Sequence, residues 1–383
     1  MKKKILVIHN FYRDFGGEDS NIYEELEFLK KYYDVRFYYE ENKSTIKLSD
    51  IIGLSISNNK KTNNKLKKEI ELFKPDVAYV HNTWFKVNLG IFKLLLKNNI
   101  RVILKIHNFR HQCTMSYLSK YHLQGQSRCS ACNFDSKRNS FFNKYYEDSL
   151  IKSIFIIGYS KKLLKILKKL PIYIIAINSF HYRALLNLGI NKNRLSIIYN
   201  PINIKSPKNI KKNNYVVYAG RISKEKGIEN LLVAWNEAKL NKFELHLIGE
   251  GPQKEDLEKS YSSEKIKFLG QMDNDKVVKY ISNAKAVATA TKLYEGQPRL
   301  LCEASSVGTI SIYPSFGGMN EFFPENYIFA FEQFNYADLV RKLKLLENNE
   351  FVDTAEALVK EHINKIFDEN LIHRKFSTLL KEN

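Results

Sequence analysis

Short apolar runs separated by helical stretches recur from one end of this chain to the other, and that alternation restricts it to a doubly wound, parallel α/β architecture. In the first half Ile5-Leu6-Val7-Ile8, Val35 to Tyr39, Asp76 to Asn82, Val102 to Ile106, Ile172 to Ala176 and Leu195 to Tyr199 read as strands. Their hydrophobicity is nearly continuous, the mark of a strand covered on both faces. Helices are expected between them: from a cap at Asp19 or Ser20 to Leu29, over Asn58 to Phe73, over Leu89 to Leu96, over Ser160 to Leu170, and from Ser179 to a stop at Gly189. Asn200 to Asn214 is polar, rich in lysine and contains two prolines, which suits a linker between domains. The alternation then restarts with Tyr215 to Tyr218, Leu245 to Ile248, Ile266 to Leu269 and Ala286 to Thr291 as strands. A length of 383 residues fits two domains of similar size, here 1–200 and 201 onward.

Lysine and arginine exceed aspartate and glutamate by 61 − 41 = 20. Such a surplus attracts polyanions, among them nucleic acid, anionic lipid and phosphorylated substrates. No nucleic-acid-binding motif accompanies it and the lysines are spread along the chain, so a nucleic-acid partner is not expected. No run of about 18 apolar residues is present, so no spanning helix is expected. Met1-Lys2-Lys3-Lys4 precedes too few apolar residues for a leader peptide. With four cysteines, three of them clustered, this points to a reducing, cytoplasmic setting. Ser160 to Leu170 puts Lys161, Lys162, Lys165, Lys168 and Lys169 beside Leu163, Leu164, Ile166, Leu167 and Leu170. It reads either as a basic helix lying on an anionic membrane or as a core helix with a solvated lysine face.

In doubly wound sheets ligands bind outside the carboxyl ends of the strands, and the polar residues collect there. His9, His81 and His107 each fall at the end of a strand of the first half. Gly16-Gly17 follows the first strand and precedes a helix, a geometry that admits a phosphate or substrate. Cys129-Ser130-Ala131-Cys132 with Cys113 can hold a structural zinc, with His107, His111 or His122 as a fourth ligand, or can be three thiols in an insertion. In the second half Gly220-Arg221 and Lys226-Gly227 follow a strand, and the two cations suit a diphosphate. Tyr294-Glu295-Gly296-Gln297-Pro298-Arg299-Leu300-Leu301-Cys302-Glu303 turns from a strand into an apolar helix running to Val307. Pro298 suits its first turn, and the amides of Arg299, Leu300 and Leu301 then offer an anion site. Glu295 and Glu303 can reach different parts of one elongated ligand, as in a nucleotide sugar.

These second-half residues resemble the donor-binding domain of the retaining glycosyltransferases of family 4, which have the GT-B fold of two Rossmann-like domains facing a cleft. The resemblance is carried by Gly220-Arg221 with Glu225-Lys226-Gly227, by Gly249-Glu250-Gly251-Pro252, by Phe268-Leu269-Gly270, by Glu295 and Glu303 with seven residues between them, and by Gly317-Gly318 with Glu321. Gly16-Gly17-Glu18, Asp76 to Asn82, His107 and Asn200-Pro201 extend it more weakly into the first half, and His107 to Cys132 resembles bacterial enzymes of cell-surface polysaccharide synthesis. Thr289-Ala290-Thr291 stands where the family commonly has Pro-Ser.

The resemblance implies transfer of a sugar from a nucleotide-diphosphate sugar to a glycan or lipid-linked glycan acceptor with retention, and no metal for catalysis. It implies catalytic roles for Arg221 and Lys226 at the diphosphate, Glu295 at the sugar and His107 beside it. It implies donor contacts from Gly16, Gly17, Gly220, Gly249, Gly270, Gly296, Arg299, Leu300 and Leu301, with Glu303 on the ribose. A donor domain over 201–358 and a closing helix over 359–383 that returns to the first domain follow from it, as does a place on the inner face of the cell membrane. An epimerase of the same fold and a non-enzymatic basic binder of polyanions are the alternatives.

Overall fold

The computed structural model describes residues 2–11, 17–42, 53, 57–108, 150–202 and 210–381. Gly16, Cys113, Cys129 and Cys132, with His111 and His122, lie outside these residues.

The strands are β1 Lys4–Phe11, β2 Asp34–Glu41, β3 Val77–Val80, β4 Arg101–Ile106, β5 Ile172–Ala176, β6 Leu195–Ile197, β7 Asn213–Ala219, β8 Glu244–Ile248, β9 Ile266–Gly270, β10 Ala284–Ala288, β11 Ile310–Ser315 and β12 Ala330–Glu332. The helices are α1 Gly17–Tyr32, α2 Lys60–Phe73, α3 Gly90–Lys97, α4 Leu150–Lys169, α5 Ser179–Asn187, α6 Ile228–Ala238, α7 Lys254–Tyr261, α8 Asn274–Ser282, α9 Arg299–Ser306, α10 Tyr336–Lys344, α11 Asn349–Ile366 and α12 Glu369–Lys381. Asparagines start several of them. Asn59, Asn178, Asn335 and Asn348 each accept from a backbone N–H three residues on, which satisfies a donor the helix cannot.

The chain forms two compact units. One holds the described residues up to Pro201 together with Glu369 onward, and the other runs over Ile202–Asp368. Each has a six-stranded parallel sheet, ordered β2-β1-β3-β4-β5-β6 in the first and β12-β11-β10-β7-β8-β9 in the second. This is the doubly wound α/β class expected from the alternation. Ile5, Leu6, Val7 and Ile8 are all fully buried, so side chains on both faces of β1 are covered. Leu6, Ile8, Val80, Val102 and Leu104 join Phe92 of α3 and Leu163 and Leu167 of α4 in the first core. Val216, Leu245, Leu247, Ala286 and Ile312 join Leu231 and Trp235 of α6 in the second.

In the first sheet the chain passes from β2 back across β1 to β3, so winding reverses between β1 and β3. In the second it passes from β9 back across β7 to β10, and winding reverses between β7 and β10. Connections leave in opposite directions at such a point and open a crevice at the carboxyl ends of the strands.

Over 359–383 the chain finishes α11, which belongs to the second unit, and then forms α12 in the first. Glu369 of α12 takes bonds from Lys31 Nζ at 2.6 Å and Tyr32 Oη at 2.8 Å, while His373 stacks on Tyr32 with ring centroids 3.7 Å apart. Phe376 is buried against Tyr79. Helix α4 buries Leu163 and Leu167 and half-buries Leu164 and Ile166 against the first core, with Leu170 just past its end, leaving Lys161, Lys162, Lys165, Lys168 and Lys169 on the exposed side. Its apolar face is therefore taken by the protein, and only the cationic face is presented outward. Among the described residues no helix is long and apolar enough to cross a membrane.

Candidate functional site

The residues singled out in the second half gather at the reversal between β7 and β10. After β7 the chain makes a short 3₁₀ turn, Lys224–Lys226, and enters α6 through Gly227 at φ +68°. A Cβ on Gly227 would lie 2.0 Å from the Ala290 carbonyl oxygen, so only glycine lets the two loops lie against each other. The Lys292 amide also donates to the Glu225 carbonyl at 2.9 Å. This lacing brings Lys226 Nζ to 2.6 Å from Glu295 Oε1, and Thr291 Oγ1 donates to the same oxygen at 3.0 Å. Arg221 is exposed at the same strand end, and its carbonyl accepts from Tyr218 Oη at 2.8 Å.

Gly220, Gly249 and Gly270 end β7, β8 and β9 side by side. The Gly220 amide donates to Ile248 O at 2.9 Å and the Gly249 amide to Gly270 O at 2.8 Å. A Cβ on Gly249, at φ +139°, would stand 2.0 Å from the Gly220 carbonyl oxygen. The need for glycine here comes from backbone meeting backbone.

Glu303 lies inside α9, and its side chain is buried. Arg299, one turn earlier, donates from Nε to Glu303 Oε1 at 2.6 Å. Burial raises the Glu303 carboxyl above its ordinary value, and the Arg299 charge and hydrogen bond oppose that shift. The helix start departs from the sequence reading in two ways. Pro298 is the cap, at ψ +83°, and α9 begins at Arg299. The Leu301 amide donates to Pro298 O at 3.0 Å, so it is used inside the first turn and is not an open anion donor. Leu300 is half-buried in that turn, and Gly296 in the loop before it.

In the first unit, Gly17 opens α1, ahead of the expected caps. Asp19 is not a cap: it is buried, with Oδ1 2.9 Å from His9 Nε2. His9, at the end of β1, and His81, just past β3, flank the reversal in this sheet, with rings 6.4 Å apart. His107, following β4, stacks on His81, and its Nε2 lies 2.9 Å from His81 Nδ1. Burial, reinforced by neighbouring positive charge, pushes both imidazoles well below their ordinary value, so both are neutral. Three residues missed in the sequence complete the cluster. Glu25 of α1 takes Lys105 Nζ at 2.8 Å and Tyr79 Oη on the same oxygen. Two of the three had a signal: Glu25 sits on the buried face of α1 with Ile22 and Leu29, and Lys105 is a cation inside a buried strand.

Ligand atoms of Glu25, His81 and His107 lie within 4.8 Å of one another, the spacing a metal ion needs. The Lys105 ammonium already pairs with the carboxylate through Oε1 and repels a second cation, so the arrangement suits an internal ion pair better than a metal.

Comparison with known proteins agrees with the second-half geometry. Residues 200–365 match the family model of glycosyl transferases group 1. The match falls on the second half of the chain. An uncharacterized glycosyltransferase of Methanocaldococcus jannaschii is 23% identical over 228 residues, which is 54% of this chain and 58% of that protein. An uncharacterized 41.2 kDa protein in the cps region of Klebsiella pneumoniae is 27% identical over 128 residues, 30% of this chain and 35% of that one. The matched stretches thus span about a third and somewhat over half of these two relatives. Among solved structures, sucrose-phosphate synthase from Thermosynechococcus elongatus superposes with a TM-score of 0.73 at 15% identity, covering 99% of this chain and 98% of that one. Anabaena HepE in complex with UDP and glucose gives 0.68 at 14% identity over 99% of both chains. The two units therefore have the GT-B fold.

Proposed function

We propose that this protein is a retaining glycosyltransferase that moves a sugar from a nucleoside-diphosphate sugar to a glycan acceptor, lipid-linked, in the synthesis of a surface polysaccharide. The observation that carries the reading is the convergence of Arg221, Lys226, Glu295 and the Arg299–Glu303 pair at the β7–β10 reversal, the place where an open α/β sheet binds its ligand. Lys226 and Glu295 neutralise each other in the absence of donor. When a diphosphate arrives, Lys226 transfers its hydrogen bonds to the phosphate and releases Glu295 to accept from a sugar hydroxyl. Lys226 and Arg221 then stabilise the charge that grows on the leaving diphosphate, which lowers the barrier to breaking the glycosidic bond. Glu303, held ionised by Arg299, accepts from the ribose hydroxyls.

A relative encoded in a cps region and a fold neighbour that binds UDP and glucose support a UDP-sugar donor and a polysaccharide product. The resemblance assigns His107 to the transferred sugar. A net charge of +20 and the exposed lysines of α4 support attachment to an anionic membrane surface, where a lipid-linked acceptor would be met. The test is incubation with radiolabelled nucleotide sugars and a lipid-extracted acceptor. The expected result is transfer with the anomeric configuration of the donor kept. Inverted product would remove the retaining assignment, and absence of both transfer and slow donor hydrolysis would remove the enzyme reading.

A further inference from the structure

The proposed mechanism leaves Glu25, Tyr79, Lys105 and His81 without a task, although all four are buried together at the carboxyl ends of β3 and β4. The contact of 2.9 Å between His81 Nδ1 and His107 Nε2 holds one proton. A neutral imidazole has a single N–H, so two arrangements are possible. His81 donates from Nδ1 and His107 carries its own proton on Nδ1, or His107 donates from Nε2 and His81 carries its proton on Nε2.

The Glu25 carboxylate chooses between them. Glu25 Oε2 lies 3.8 Å from His81 Nδ1. A carboxylate attracts an N–H there and repels a lone pair, and Lys105 and Tyr79 hold this carboxylate in place through its other oxygen. Either arrangement leaves one covered N–H with no partner among the described residues, on His81 Nε2 in the second and on His107 Nδ1 in the first. The first arrangement puts the N–H that still needs an acceptor on His107 Nδ1, in the less buried of the two residues.

We infer that Glu25 and His81 are positioning residues that fix the proton of His107 on Nδ1, so that His107 serves as a hydrogen-bond donor to a ligand oxygen and not as a base. The inference rests on the reading of His107 as a group at the transferred sugar. The oxygen it serves is a hydroxyl of that sugar or an oxygen of the phosphate.

The tautomer is read directly from long-range proton–nitrogen correlation spectra of protein labelled with ¹⁵N-histidine, with the His107 signals assigned by their loss in His107→Gln. The expected spectrum shows His107 protonated at Nδ1 and bare at Nε2. In His81→Phe the constraint is gone, and a sizeable fraction shifts to the Nε2 form. Glu25→Gln combined with Lys105→Met removes the carboxylate together with its buried cation, and the same mixing is expected if either single replacement fails to fold. Protonation at Nε2 in the unaltered protein overturns the inference, as does an unchanged His107 signal in both altered proteins. Turnover separates the two readings. With the expected spectra, His81→Phe should lower turnover about tenfold at little change in donor KM. With the expected spectra and unchanged turnover, the tautomer assignment stands and the placement of His107 at the sugar fails.

Discussion

Lys226 and Glu295 form a 2.6 Å ion pair that a diphosphate must enter, and the mechanism depends on that exchange. Lys226→Ala should lower transfer roughly 100-fold or more while leaving the thermal midpoint close to that of the parent, because the side chain is partly exposed and serves no core contact. Near-parental turnover in this protein would remove Lys226 from the diphosphate. The Arg299–Glu303 pair makes a pH-dependent prediction. Glu303 accepts ribose hydroxyls in its ionised form, so donor affinity is full above its raised folded value and falls as pH drops through it. Arg299→Gln removes the charge that opposes burial and moves the midpoint of that fall upward. Titration of nucleotide binding against pH reads this, and an unmoved midpoint would mean that Arg299 does not tune Glu303. As to folding, the raised value makes the contribution of Glu303 most favourable at or below the ordinary carboxylate range. That contribution weakens as pH rises to the folded value and is level above it.

The strand-end glycines and the helix starts decide how the site is assembled. Gly249→Ala would place a Cβ 2.0 Å from the Gly220 carbonyl oxygen at φ +139°, and is expected to destabilise the second unit by about 3 kcal/mol. A denaturant titration that shows less than about 0.5 kcal/mol of change would contradict the close approach of these turns. Much of this level was legible in the sequence. The strand Ile172–Ala176 has the bounds that its apolar run predicts, because Pro171 precedes it and polar Asn178 follows close behind. The glutamates with seven residues between them were visible as a pair, since one falls in the loop and the other on the covered face of α9. What was not legible depends on tertiary partners. Asp19 has the composition of a cap, but its side chain meets His9 of the preceding strand, a contact that local pattern cannot place. Leu301 was expected to offer an open amide, yet the first turn of α9 closes on Pro298 O. The partners of Lys226 and Glu303 follow from side-chain direction, which spacing alone does not give.

For the whole molecule, acid stability and surface charge are the accessible properties. His181 is fully buried on α5, and burial lowers its imidazole to about 3. The folded state then binds fewer protons than the unfolded one between about 6.5 and about 3, so its stabilising contribution is complete above that window and is lost as pH falls through it. His81 and His107 act in the same direction. Acid titration followed by circular dichroism should show unfolding at lower pH in His181→Leu than in the parent, and coincident curves would contradict the burial of that ring. The cationic face of α4 predicts binding to anionic vesicles at low salt and release at high salt, as for any screened attraction. Replacing Lys161, Lys162, Lys165 and Lys168 with glutamine should weaken vesicle binding without altering nucleotide affinity, and unchanged vesicle binding would place the contact elsewhere. The central claim is that the β7–β10 reversal takes a nucleoside diphosphate. Its most direct test is calorimetric titration with UDP, GDP, ADP and CMP of the parent, Arg221→Ala and Lys226→Ala. The account predicts that one diphosphate binds the parent and that each replacement weakens it at least about tenfold with the fold intact. Equal affinity in all three proteins, or no binding of any of the four, would contradict it.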